Sequence, residues 1–297
     1  MNWFVSDTSY RNITRRRFLL EGKLRYSLKL MASRGQARTV LCFPTSPHPR
    51  ATIRKLCNWT GCRMTTNPRE PADVVIHWDT SAIRTPIEQI PSLQGMPVVN
   101  AKCIDVSKEN VDRTFAEVFG YDMRVDPRTH SGSCVRKSNE NGTHDGVILT
   151  CPIAEQAKGY VYQRLLNNRT EDGFTEDIRI PVFGSLIPIV FRCKKEAADR
   201  FAVPSRIVRC CETSDVLSME EIGLVLRFCQ NIGLDYGELD VLRDRDDGRI
   251  YVVDANPTPW GPPAELAWRD QSYAMRTMAH AFEDAFPAKS LTNVATG

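Results

Sequence analysis

"LDYGELDVLRDRDDGRIYVVDANPTP", residues 234–259, is two short apolar runs joined by an acidic turn, and its reading decides the fold. A three-residue loop of Asp246, Asp247 and Gly248, with Gly248 left-handed, pairs Arg245 with Arg249. That register sets Asp240 opposite Asp254 and Glu238 opposite Asn256. Side chains alternate along a strand, so these four share one face, and Leu239, Val241, Tyr251, Val253 and Ala255 take the other. Directly opposed carboxylates repel unless a cation lies between them. A small all-oxygen set of this kind suits Mg2+, which keeps waters and binds substrate phosphates. Two alternatives stay open here. The acids can simply be solvated, and a two-residue turn would send Asp240 and Asp254 to opposite faces.

A second hairpin, "TEDIRIPVFGSLIPIVFRCKK" at residues 175–195, turns at Gly184 and Ser185. A two-residue turn pairs Asp177 with Arg192 and Arg179 with Val190, so that Asp177, Arg179, Arg192 and Lys194 share one face. Ile178, Ile180, Val182, Ile187, Ile189, Phe191 and Cys193 form the apolar back. Such a cationic face is either a clamp for phosphate or carboxylate, or a solvated outer surface. Lys137 ends a third segment, "SCVRK", and leads into "NGTHDG" at residues 141–146. Gly142 and Gly146 would let backbone amides wrap phosphate oxygens, though an ordinary hairpin loop reads the same way. The P-loop pattern is absent. His144, in the same loop, is a candidate ligand-binding or catalytic group, while an exposed polar histidine is the commoner case.

The net charge of +3 over 297 residues, 42% hydrophobic and 25% charged, describes a soluble globular chain and does not indicate a nucleic-acid partner. No apolar run approaches bilayer length, so neither a spanning segment nor a membrane partner is expected. "TRRRFLL" at residues 14–20 looks like a twin-arginine export signal, but Glu21, Lys23, Arg25 and Lys29 interrupt the apolar run that such a signal needs. The stretch instead predicts an amphipathic helix whose Leu20, Leu24, Ser27, Leu28 and Met31 pack on the next domain. Membrane-surface binding is the weaker option. Ten cysteines without a C-x-x-C pair predict a reduced, cytoplasmic protein with buried thiols and no zinc. The sequons at Asn12, Asn58, Asn141 and Asn168 read as chance matches.

From residue 39, "TVLCF", the helix "RATIRKLCNWTG", "ADVVIHW" and "MPVVNA" predict a small parallel sheet over residues 39–100, without a dinucleotide fingerprint. A helix from Lys108 to Phe119 stops at Gly120. "GVILT" and "VYQRLL" are strands, Ser218 and Glu221 form a capping box for a helix ending near Gly233, and a last helix covers about residues 264–286. Trp260 in "TPWGPP" is expected to pack against that last helix.

Lys108 in "DVSK", Lys137 in "VRKS", "VYQRLL", the basic hairpin and the acidic hairpin follow one another as in the ATP-grasp superfamily, which residues 100–263 resemble. The resemblance implies a two-subdomain α+β ATP-grasp fold behind a small Rossmann-like α/β domain and an N-terminal helix. The implied division is 1–38, 39–100, 101–160 and 161–297. It makes Asp240, Asp254 and Asn256 the Mg2+ ligands and puts Lys108 and Lys137 on the ATP phosphates. Gly142, His144 and Gly146 fall in the loop over the nucleotide, and Gln163 and Leu165 near adenine. Arg179 falls on the transferred phosphoryl group, with Arg192 and Lys137 as further catalytic cations. The implied activity is an ATP- and Mg2+-dependent ligase that activates a small-molecule or peptide carboxylate as an acyl phosphate and joins it to an amine or thiol. A kinase acting on a hydroxyl and a nucleotide-binding module without turnover are the alternatives, and a homodimer is left open. Three departures stand out. Asp254 replaces the commoner glutamate, Ser138 replaces a frequent proline, and Glu238 stands where some of these ligases carry arginine.

Overall fold

The computed structural model describes residues 7–32, 37–140, 142–143, 145–201 and 207–287, with residues 7–15 and 199 given by their backbone alone. Helix α1 (Asp7–Ala32) precedes a parallel sheet of β1 (Thr39–Pro44), β2 (Arg63–Thr65), β3 (Val74–Trp78) and β4 (Val98–Val99), ordered β2-β1-β3-β4. Helix α2 (Thr52–Thr60) joins β1 to β2 and ends at Gly61, whose φ of 76° needs no Cβ penalty. Ser107 caps α3 (Lys108–Phe119) by accepting from Asn110 N, and Gly120 ends it. A small antiparallel sheet follows, β5 (Gly132–Ser138), β6 (Val147–Cys151) and β7 (Tyr160–Arg164), with β5 in the middle. A five-stranded antiparallel sheet completes the sheets. It is built from β8 (Phe174–Phe183), β9 (Val190–Glu196), β10 (Ile207–Cys211), β11 (Tyr236–Arg243) and β12 (Ile250–Asn256), ordered β10-β9-β8-β11-β12. Helix α4 (Met219–Ile232) opens on the Ser218–Glu221 capping box, and α5 (Trp268–Ala285) starts a turn later than its apolar periodicity suggests. Strands β2 and β10 carry no periodic signal in the sequence; both are short edge strands.

Two cores meet at the five-stranded sheet. Ile178, Ile180, Val182, Val190, Leu239 and Val241 share one with α3 and α4. Phe183, Ile189, Phe191 and Tyr236 share the other with the parallel sheet, α2 and α5. Each buried Val, Leu, Ile or Phe contributes about 1.5–3 kcal/mol, so a one-residue slip that inverted a strand would forfeit most of a core. Burial on both faces therefore pins the registers.

Two registers matter. In the β11–β12 hairpin Asp240 faces Asp254 and Glu238 faces Asn256, while Val241 already faces Val252. The loop holds one residue more than predicted: Asp244 N bonds Arg249 O, and Gly248, at φ 73°, donates to Asp244 O. A bulge at Val253 compensates, so the carboxylates still meet. In the β8–β9 hairpin the two-residue turn forms, with Phe183 and Leu186 exchanging both backbone bonds, but the ladder beyond it pairs Ile178 with Arg192 and Arg179 with Phe191. The extra residue falls at 187–189, around Pro188, which has no N–H to keep the ladder in step. Arg192 and Lys194 are thereby turned to the face opposite Asp177 and Arg179, where they pair with Glu176 at 2.8 Å and Asp172 at 2.7 Å. The predicted four-residue cationic face is corrected accordingly.

Helix α1 also departs from expectation. Leu20, Leu24, Leu28 and Met31 are exposed, and the helix packs through Phe18, Gly22 and Arg25 instead.

Candidate functional site

A polar concavity lies between the small sheet and the five-stranded sheet. Lys108, Lys137, Gly142 and Gly146 line it from one side; Asp177, Lys195, Asp240 and Asp254 line it from the other. Local structure explains each placement. Lys108 is the first residue of α3, so its side chain leaves the helix where the Ser107 cap turns the backbone. It reaches across to hydrogen-bond Asp254 Oδ1. Lys137 comes from the end of the central strand β5, on the same face as Val135. Burial, and then Lys108, lowers the pKa of its ammonium, and none of the described carboxylates forms an ion pair with it. The loop after it carries Gly142 at φ 72° and Gly146, where an added Cβ would stand 2.7 Å from the Phe201 ring. His144 lies outside the described residues.

Opposite them, Arg179 on β8 bridges two acids of β11, with Nη1 3.7 Å from Glu238 and Nε 3.6 Å from Asp240. Asp240, and then Glu238, holds its pKa well above the ordinary arginine value. Glu238 is buried, and burial against the pull of Arg179 raises its carboxyl to about 7. Asp240 and Asp254 give an opposed pair of carboxylates about a strand spacing apart. Asn256 shares their face, but its Oδ1 accepts from Thr258 N at 2.9 Å. Among the described residues no three His, Cys, Asp or Glu side chains converge on a metal-sized space. The donor set is thus two carboxylates and one amide, which fits Mg2+ completed by phosphate and water oxygens, not a closed protein cage.

The structure does not bring every predicted residue here. Gln163 is buried on β7 and donates to Asp112 Oδ1 at 2.7 Å, and Leu165 lines a separate recess with Asn167 and Arg169. Arg192 is on the far face. In its place stands Lys195, which sequence reasoning missed. It is buried, bonds Asp177 at 2.7 Å and shares the cleft with Arg200 and Asn168. The only sequence signal for it was Pro188, whose bulge swaps the two faces of β9. Trp260 does not pack on α5. It is half-exposed and stacks on His48, with centroids 4.3 Å apart and planes at 9°. Its loop is tied to the start of α2 by Thr52 N on Pro259 O at 2.8 Å and Lys55 Nζ on Trp260 O at 2.6 Å.

Asp112 sits fully buried on α3 beneath this site. Burial raises its carboxyl to about 7, with Lys137 and Gln163 pulling the other way. A carboxyl whose folded pKa exceeds its unfolded value binds its proton more tightly in the native state. Its contribution to stability is therefore full below about pH 4 and is lost as pH rises through about 7. Asp112→Asn should remove part of that slope and melt above wild type at about pH 8. Thermal melts across this range check it.

No family model matches the sequence, and no curated protein matches it either. Solved structures do match in shape. The ATP-grasp ligase PsnB, complexed with precursor peptide PsnA2 and AMPPNP, superposes at TM-score 0.53 and 14% identity, over 84% of this chain and 98% of that one. The macrocyclase MdnC from Microcystis aeruginosa MRC, bound to precursor peptide MdnA, gives 0.51 at 12%, over 84% and 99%. D-alanine–D-alanine ligase from Bacillus anthracis gives 0.50 at 12%, over 84% and 97%. The chain has the ATP-grasp fold.

Proposed function

We propose that this chain is an ATP- and Mg2+-dependent ligase that activates a carboxylate as an acyl phosphate and transfers the acyl group to an amine or thiol. The supporting observation is a single cleft. Lys108, Lys137 and the loop of Gly142 and Gly146 reach it from one side and Asp240 and Asp254 from the other, with Arg179 behind them, 3.6 Å from Asp240. PsnB, which shares the fold, has been solved with Mg and ADP.

In this reading Asp240 and Asp254 would hold Mg2+, with the amide oxygen of Asn256 as a further ligand. The ion would supply charge to neutralise the phosphate oxygens of ATP. Lys108 exchanges Asp254 for a phosphate, and Lys137 supplies a cation that no described carboxylate has claimed. Arg179, held by Asp240 and Glu238, faces the transferring group and stabilises its charge. A substrate carboxylate oxygen attacks the γ-phosphorus, the bridging P–O bond breaks, and ADP leaves with the electron pair. The amine or thiol then attacks the acyl carbon, loses its proton, and inorganic phosphate departs. The protein contributes position and charge, so no side-chain nucleophile is needed. The peptide-bound structures of PsnB and MdnC favour peptide as well as small-molecule carboxylates. The division 1–38, 39–100, 101–160 and 161–297 and a cytoplasmic, reducing setting belong to the same proposal.

The test is a panel of amino acids, small acids and acidic peptides incubated with Mg-ATP, read by ADP and phosphate release and by mass spectrometry. A ligated product with ADP supports the reading. A stable phosphorylated product without ligation makes the protein a kinase instead. Absence of any Mg-dependent ATP binding or turnover sinks both.

A further inference from the structure

Helix α1 is held in place by the face the sequence did not suggest. Phe18 stacks on Trp59 of α2 with centroids 6.0 Å apart, and Arg25 lies over the same ring at 4.6 Å. Glu21 accepts from Trp268 Nε1 at 3.1 Å and Ser272 Oγ at 2.6 Å, both on α5. Gly22 makes the approach feasible, since even a Cβ there would come within 3.2 Å of the Trp59 indole nitrogen. The apolar ridge faces away. Leu20, Leu24, Leu28 and Met31, at i, i+4, i+8 and i+11, are 68%, 60%, 57% and 76% exposed.

Charge is distributed just as unevenly. Helical spacing sets Arg16 and Lys23 on one flank of the ridge and Arg17 on the other, and all three are exposed. Glu21, the one carboxylate among the described side chains of α1, faces inward and is bonded to Arg25 at 2.9 Å. Among the described side chains the outward face is therefore apolar along its crest, and the charges that flank it are cationic.

We propose that α1 docks the protein on an anionic lipid surface, its four-residue ridge entering the headgroup region and Arg16, Arg17 and Lys23 meeting lipid anions. Complementarity selects this occupant. A second copy docking by the same ridge would bring an identical cationic face with no outward carboxylate among the described side chains of its α1, so pairing two ridges sets like charges together. A lipid surface supplies apolar depth and negative charge at once. It also moulds around a convex ridge, while the long stems of arginine and lysine lie along the apolar crest and their charged ends reach the headgroups. The inward contacts to Trp59, Trp268 and Ser272 leave the ridge free for this without loosening the fold.

The full chain is sedimented with vesicles of phosphatidylcholine alone and of phosphatidylcholine mixed with phosphatidylserine, at low and physiological salt. The expected result is binding to the phosphatidylserine vesicles that weakens with salt and falls more than about tenfold in Leu24→Glu/Leu28→Glu. A second variant, Arg16→Glu/Arg17→Glu/Lys23→Glu, keeps the ridge and should lose binding as well. Both variants should melt like wild type, because none of these side chains is in a core. Three results overturn the proposal. One is no sedimentation with phosphatidylserine vesicles at low salt. Another is equal binding by wild type and the leucine variant. The third is a dimer in light scattering that Leu24→Glu/Leu28→Glu dissolves, which would assign the ridge to a second copy.

Discussion

Asp254→Asn should lower kcat/KM for ATP by at least about a hundredfold while leaving the protein as stable as before within about 1 kcal/mol. The asymmetry follows from geometry. Asp254 lies directly opposite Asp240 on the neighbouring strand, a pairing that is unfavourable when no cation is present. It also holds Lys108, a favourable contact between two largely buried side chains. Replacing the carboxylate by an amide removes the repulsion and the ion pair together, so the folded state gains and loses comparable amounts. Function has no such compensation, because the anionic half of the site falls from two charges to one. Fluorimetric melts with and without Mg-ATP, beside steady-state ADP release, separate the two effects. The ligand-induced rise in Tm should vanish while the ligand-free Tm holds. Asp254→Glu should retain turnover, since the longer carboxylate is the commoner residue in chains of the resembled superfamily. A variant Asp254→Asn that turns over ATP normally would remove Asp254 from the site.

Much of this arrangement was legible because alternation is a local signal. The hairpin at residues 234–259 buries Leu239, Val241 and Ala255 on one side, and that alone decides which way Asp240 and Asp254 face. The predicted loop was one residue short, yet the bulge at Val253 restored the pairing, because burial of the apolar back pins the register more strongly than the turn does. The same logic explains the miss at Arg192. The β8–β9 turn was read correctly, but Pro188 cannot donate, one residue slips out of step, and the faces of β9 exchange. Lys195 replaced Arg192 in the cleft through a salt bridge to Asp177, a contact between strands that no periodicity encodes. Helix α1 was legible as a helix but not in orientation. Its inward face is held by aromatic, cationic and carboxylate contacts to α2 and α5, whereas a hydrophobic stripe reports only the wish of leucines to leave water.

Lys137→Met should abolish ATP turnover and, unusually for a partly buried position, stabilise the ligand-free protein. The ammonium of Lys137 is desolvated and close enough to Lys108 for the two to repel, which is why its pKa is lowered. A lysine whose folded pKa lies below its unfolded value binds protons less tightly when folded. It therefore weakens the native state at neutral pH, and the penalty fades as pH climbs toward the ordinary lysine range. Methionine keeps much of the length and apolar stem without the charge, so this pH-dependent penalty should disappear from the melting curve. The loss of activity, at least about a hundredfold, comes from removing a cation placed where phosphate charge would gather. The two readouts distinguish a ligand-binding lysine from a structural one. A structural lysine would be satisfied within the fold, and its replacement would cost stability along with activity.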